Sequence, residues 1–114
     1  MKLRTSELDG RTIVIEVESH DTGDYVDWLD SRGHGYAIFG EGVQIPMAVV
    51  DGRLLENNWF TKNHLLAVEA HELGHIRMNS DEEEIAELEG IRLLREKGHD
   101  VAADLLLARG IVNL

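Results

Sequence analysis

A chain of 114 residues without cysteine has room for one domain with a modest core and excludes a disulfide-held scaffold. Its 22 acidic residues against 11 Lys and Arg give a net charge of −11, which argues against nucleic acid as a partner because phosphate binding needs clustered cations. The opening Met1-Lys2-Leu3-Arg4-Thr5-Ser6-Glu7 lacks the apolar stretch of a signal peptide, and no apolar run reaches membrane-spanning length, so a soluble cytoplasmic protein with no membrane partner is expected.

Residues 2–8 and 11–18 flank Asp9-Gly10, a dipeptide suited to a two-residue hairpin turn. The β-branched run Thr12-Ile13-Val14-Ile15-Glu16-Val17-Glu18 makes the pair antiparallel strands. His20 to Asp24 reads as a turn, and Tyr25 to Asp30 suits a short helix or a strand equally. Ser31-Arg32-Gly33-His34-Gly35 breaks the pattern before a short strand at Tyr36-Ala37-Ile38-Phe39. Residues 43–50 and 53–55 bracket Asp51-Gly52, a second hairpin candidate whose Pro46 confines its strand to an edge or a bulge. An exposed edge within residues 36–50 would suit an extended peptide, which binds by strand addition.

The period changes after Trp59-Phe60. Leu65, Leu66, Val68, Leu73 and Ile76 recur at helical spacing through Met78, with Thr61 as N-cap and Asn79 suited to a left-handed end. Ser80 to Glu83 has the form of a capping box, and the helix it opens runs to about Lys97 before Gly98. A short third helix spans Asp100 to Arg109. Trp28, Trp59 and Phe60 read as core, the last two stapling the start of the first long helix, and Gly74 within it is explained by close packing on the sheet. The expected fold is α+β in a single domain, 1–60 β-rich and 61–114 helical, with a small antiparallel or mixed sheet against the helices.

Within the first long helix lies His71-Glu72-Leu73-Gly74-His75. His71 and His75 are i and i+4, so their imidazoles leave one face and can share a metal ion. Glu72, rotated by about 100°, can reach a metal-bound water without ligating the metal. Zinc hydrolysis needs this set: two neutral nitrogen ligands, a general base and an open position. A third ligand must come from elsewhere. With a two-residue connection between the helices, His75 faces Glu83 and His71 faces Glu87 across an antiparallel hairpin. Glu83 and Glu87 share the apolar arc of the second helix with Gly90, Ile91 and Leu94, where carboxylates need partners. First-turn acids also favour the helix dipole, an alternative use for Glu83 in the capping box.

The motif H-E-L-G-H followed by Glu83-Glu84-Ile85-Ala86-Glu87 resembles the gluzincin zinc metallopeptidases, above all their smallest members, the minigluzincins, and the ImmA/IrrE-type metallopeptidases. The resemblance covers residues 61–97. It implies that a glutamate helix supplies Glu83 as third zinc ligand, that Glu72 is the general base, and that Glu87 orients His71 from behind. The family pattern more usually has Asp at the place of Glu87, one methylene shorter. A metzincin continuation would put the ligand at Asp81, but Met78 occupies the place of its turn glycine; Glu87 is the other candidate to exchange with Glu83.

The expectation is therefore a zinc-dependent metalloendopeptidase acting on a peptide or protein, with Glu72 catalytic and Zn²⁺ on His71, His75 and Glu83. His34, between two glycines, and Tyr36 are candidates to line the cleft and stabilise an oxyanion. His64 reads as a surface or capping histidine, and Ile111-Val112-Asn113-Leu114 as a segment packing on the core or lying in the cleft. Two other readings stay open: a zinc-stapled binding module without catalysis, and an acidic interaction protein whose H-E-x-x-H is accidental.

Overall fold

The structure, a computed structural model, describes residues 1–109; the expected role of Ile111 to Leu114 lies outside them. The fold is α+β. Four strands, β1 (Lys2–Thr5), β2 (Ile13–Val17), β3 (Gly35–Ile38) and β4 (Met47–Asp51), form one mixed sheet in the order β1-β2-β4-β3. Helix α1 (Asp24–Arg32) lies between β2 and β3 in sequence, and α2 (Lys62–Met78), α3 (Glu83–Glu96) and α4 (Asp100–Leu107) follow the sheet. Among the described residues no helix is long and apolar enough to cross a membrane.

The first pair of strands is antiparallel, as the sequence indicates, in the register Lys2↔Glu16 to Thr5↔Ile13. Its connection is wider than a two-residue turn. The Asp9 carboxylate accepts from the amides of Arg11 and Thr12 at 3.0 and 2.9 Å, closing a rounder loop that ends the ladder at Thr5. Lys2 and Arg4 charge this outer edge and protect it from pairing with another chain.

The second expected hairpin does not form. Asp51 accepts from the backbone and side-chain nitrogens of Arg53, and residues Gly52–Glu56 coil into a 3-10 helix instead. Met47–Asp51 pairs parallel to β2 and antiparallel to β3, so it is an interior strand and not the edge that Pro46 suggests. Pro46 lies one residue ahead of the ladder, where its missing N–H removes no strand bond. The edge is β3.

Side chains alternate between two cores because successive strand residues point to opposite faces. Ile15, Val17, Val49 and Tyr36 meet Val26 and Leu29 of α1. Val14, Ala48 and Val50 meet Phe60, Leu65, Val68, Leu73 and the residues of α3 and α4. With both faces covered, the central strands read as continuous apolar runs, Ile13-Val14-Ile15 and Ala48-Val49-Val50. Trp28 and Trp59, expected in the core, are 50% and 64% exposed; only Phe60 is buried among the three. Rings this large are left at the surface because the compact alanines and valines of the inner faces already fill the interior.

Helix α2 is the central element. Thr61 caps it, with His64 returning the bond from the Thr61 amide in the place usually held by Glu, so His64 is a capping residue. Asn79, at φ 46° and ψ 49°, ends it in the left-handed conformation, and the Ser80 amide donates back to the His75 carbonyl. Four residues, not two, then connect α2 to α3. The Ser80–Glu83 capping box is absent: Ser80 Oγ accepts from the Glu82 amide, and the Glu83 carboxylate is drawn away to the histidines.

Helices α2 and α3 pack antiparallel with almost no side chain between them. A methyl group on Gly74 would lie 2.0 Å from the Ala86 carbonyl oxygen, and one on Gly90 would lie 2.8 Å from that of Ala70. Gly74 is thus explained by α3 and not by the sheet. Gly74→Ala would gain about 1 kcal/mol of helix propensity but force the helices apart, a cost that can exceed 3 kcal/mol at so close a backbone approach. Urea unfolding should show a net loss of about 2 kcal/mol or more; an unchanged midpoint would contradict the close contact.

Candidate metal centre

Helix α2 carries His71, Glu72 and His75 into the interior at 3%, 7% and 6% exposure. Their helical spacing turns both imidazoles toward α3, and the two Nε2 atoms stand 3.2 Å apart. Glu83, in the first turn of α3, reaches across with Oε2 2.7 Å from His71 Nε2 and Oε1 3.2 Å from His75 Nε2. Four residues on, Glu87 is fully buried and places Oε1 2.7 Å from His71 Nδ1. His75 Nδ1 lies 2.7 Å from the Ser80 carbonyl oxygen. The left-handed turn at Asn79 presents that carbonyl.

These outer contacts fix the tautomers. A carbonyl can only accept, so His75 Nδ1 carries its proton and donates, and in the neutral ring Nε2 is left as a lone pair. The Glu87 carboxylate does the same for His71. Two imidazole nitrogens and a carboxylate therefore converge, and without a metal only a proton taken up by a ring, as the raised His71 pKa favours, holds them together. A shared cation would take the place of that proton. Tetrahedral zinc with bonds of about 2.0–2.1 Å separates its ligands by about 3.3 Å, close to the spacing of the two nitrogens. Glu87 supplies a second indication: its Oε2 is buried without a hydrogen-bond partner, and a dication beyond the His71 ring would offset this costly charge. The residues fit the metal.

Burial pushes the Glu72 carboxyl up to about 7, with the nearby Glu83 and Glu87 charges adding to it against His71 and Arg109. Burial acts to lower the His71 pKa, but its bond to Glu87 and the charges of Glu72, Glu87 and Glu83 outweigh this and hold it above its ordinary value. The α2 triad His71, Glu72 and His75 brings its ligating atoms within 4.8 Å of one another.

The centre opens onto a cleft of about 570 Å³ between α2 and the β3 edge. Gly35 borders Glu72 closely: a Cβ there would meet Val68 Cγ1 at 2.6 Å and Glu72 Oε2 at 3.3 Å. Phe39 stacks on His75 with centroids 5.9 Å apart. His34 lies in the cleft wall, edge-on to Phe60 at 5.7 Å. Tyr36 also lines it, but its hydroxyl donates to the Tyr25 carbonyl at 3.2 Å and burial pushes its pKa up to about 12, so the proton expected to serve an oxyanion is already engaged. Asp81 lines the cleft without an ion pair to either histidine among the described residues, whereas Glu83 reaches both.

Comparison with known proteins gives no relative. No protein-family model, curated protein or solved structure matches the chain.

Phe39, Arg32, Arg109, Gly35 and the Ser80 carbonyl belong to the site without having been singled out as such from the sequence. A backbone acceptor leaves no trace in residue identity, and the others are brought in by sheet order and chain ends. Their only signal is the Gly-His-Gly sequence beside Arg32, which marks a close backbone approach.

The bond behind His71 is open to test. Glu87→Gln keeps an acceptor for Nδ1 but removes the charge, and zinc affinity measured against a competing chelator should fall by about tenfold or more. Glu96→Gln, far along the exposed face of α3, should leave it unchanged.

Proposed function

We propose that this protein is a zinc-dependent peptidase whose metal is held by His71, His75 and Glu83, with Glu72 as general base. The observation that carries the reading is the inward convergence of two histidine lone pairs and one carboxylate, each histidine fixed from behind, with a buried glutamate beside them and a cleft in front. When bound, zinc supplies a Lewis acid that polarises a carbonyl and brings the pKa of water toward 7.

The chain's own residues do the rest. Glu72 follows His71 on the helix; its carboxylate lies within 4.8 Å of the two imidazoles and borders the β3 edge at Gly35, where it can reach a water beside the metal. Burial raises its pKa above that of an ordinary carboxylate, which suits a group that would accept a proton from the attacking water and return it to the departing amine. Glu87 holds His71 in its Nδ1–H tautomer and would raise its basicity as a ligand. The outer edge of β3 offers unpaired backbone groups to an extended peptide, which would lie antiparallel along it. Phe39 and the Gly35 backbone bound the two ends of that stretch.

Glu72→Gln separates binding from chemistry. It should retain stoichiometric zinc by elemental analysis and lose cleavage of a mixed peptide library by about 10²-fold or more, the usual worth of a general base. His71→Ala should lose both. Zinc that raises the melting temperature of the wild type without cleavage of any peptide would favour a metal-stapled binding module; no zinc at neutral pH would leave an acidic interaction protein.

A further inference from the structure

The cleft of this strongly acidic protein contains two arginines, Arg32 and Arg109. Five of the eight arginines, Arg4, Arg53, Arg77, Arg92 and Arg95, pair with carboxylates of the chain itself. Arg32 and Arg109, like Arg11 outside the cleft, have no such ion pair among the described residues, although acids outnumber basic residues two to one. Arg32 is also held in place. Its guanidinium lies over the Trp28 ring at 5.4 Å and the Tyr36 ring at 5.5 Å, and those rings meet edge to face at 6.2 Å. Tyr36 is tied in turn by its hydroxyl to the Tyr25 carbonyl. The one half-exposed tryptophan of α1 thus has a use: with Tyr36 it makes a platform one turn from the end of the helix, i and i+4 with Arg32. A cation stacked this way keeps its planar N–H fork available for a bidentate acceptor and loses little freedom on binding.

We infer that Arg32, supported by Arg109, selects a peptide bearing a carboxylate on the leaving-group side of the bond that is cut. The cleavage step rests on the peptidase reading, and the carboxylate preference on the positions of the two arginines. Arg32 is joined to β3 through Gly33 and His34, at the strand's N-terminal end, while Phe39 beside His75 marks the opposite end. A peptide laid antiparallel to β3 runs from the Phe39 end toward the Gly35 end. Its residues beyond the metal, C-terminal to the scissile carbonyl, then approach Arg32. The acceptor is a carboxylate, whether an Asp or Glu side chain or the free C-terminus of a short peptide. The net charge of −11 works against any acidic ligand at long range, but that repulsion is screened beyond about 8 Å at physiological salt, whereas a close guanidinium pair is not. Selection therefore depends on contact and not on the overall field.

Binding and cleavage are measured separately. Zinc-loaded Glu72→Gln protein is titrated with an acetylated, amidated alanine–serine hexapeptide carrying one Glu, the Glu moved through each position; with its Gln counterpart; and with the Gln peptide ending in a free carboxylate. Trp28, in contact with Arg32, provides a fluorescence signal alongside calorimetry. The best Glu peptide or the free-carboxylate peptide should bind about tenfold or more tighter than the amidated Gln peptide, the worth of a charge-assisted pair. In Arg32→Gln that ratio should fall toward one, and Arg32→Lys should restore part of it. Preference for Glu over Gln assigns the acceptor to a side chain; preference confined to the free terminus assigns it to the end of the substrate.

A Glu-to-Gln ratio near one in the parent, or a preference that survives Arg32→Gln, overturns the inference, even where wild-type protein cleaves the peptides. An Arg32-dependent preference without cleavage by the wild type supports it and overturns the peptidase reading instead. Binding of none of the peptides overturns both.

Discussion

The near-contact of two helix backbones governs this molecule. At Gly74 and Gly90 helices α2 and α3 touch main chain to main chain, and a single methyl group at either place would collide with a carbonyl. Because α2 and α3 are this close, the short acids of α3 can reach the histidines of α2: Glu83 the inner nitrogens of both, Glu87 the outer nitrogen of His71. Were a leucine-sized residue at position 74 to hold the helices at ordinary spacing, neither carboxylate would span the gap. The four residues from Asn79 to Glu82 serve the same end. Asn79 turns the chain so that the Ser80 carbonyl receives the His75 proton, and the first turn of α3 starts where Glu83 faces the pair.

Burying several charged groups in so small a chain is costly unless each has partners. Two networks meet that need. On the β1 side, Glu69 of α2, 1% exposed, is held by Arg4 and by Ser6 Oγ, each at 2.6 Å, which fastens the edge strand to the central helix. On the α3 side, buried His71, His75 and Glu87 form the second together with the exposed Glu83, and among the described residues it alone leaves a buried atom unsatisfied, Glu87 Oε2. That contrast separates a structural cluster from one whose chemistry asks for an added cation. It also gives the proposed zinc centre its physical basis: Glu72, Glu83 and Glu87 surround two imidazoles, and a dication would balance them.

Much of the architecture was legible in the chain because local rules and tertiary packing agree. Thr61, Asn79 and Gly98 mark helix ends whose backbone conformations those residues favour. His71 and His75 share a face by helix geometry alone, and the facing acids follow from an antiparallel hairpin. Where local rules fail, a non-local partner wins. Asp51-Gly52 reads as a hairpin turn, yet β4 finds its partners in β2 and β3, and the Asp51 carboxylate folds the next residues onto Arg53. Ser80 and Glu83 spell a capping box, yet Ser80 Oγ takes the Glu82 amide and the Glu83 carboxylate lies against the two imidazoles of α2. Trp28 and Trp59 read as core by composition, yet the inner faces close over smaller side chains.

The sequence by itself determined the α+β class, the helix that carries His71, Glu72 and His75, and the two carboxylates able to approach them, since helical periodicity and short connections act over a few residues. The tertiary structure decided what lies around that set. The parallel pairing of β4 with β2 makes β3 the edge and puts Gly35 and Phe39 beside Glu72 and His75. The stacking of Arg32 between Trp28 and Tyr36 needs a helix and a strand to meet, and the Ser80 carbonyl is a backbone group that any residue would carry. Sheet order and main-chain acceptors are set by contacts distant along the chain, where residue identity holds no local record of them.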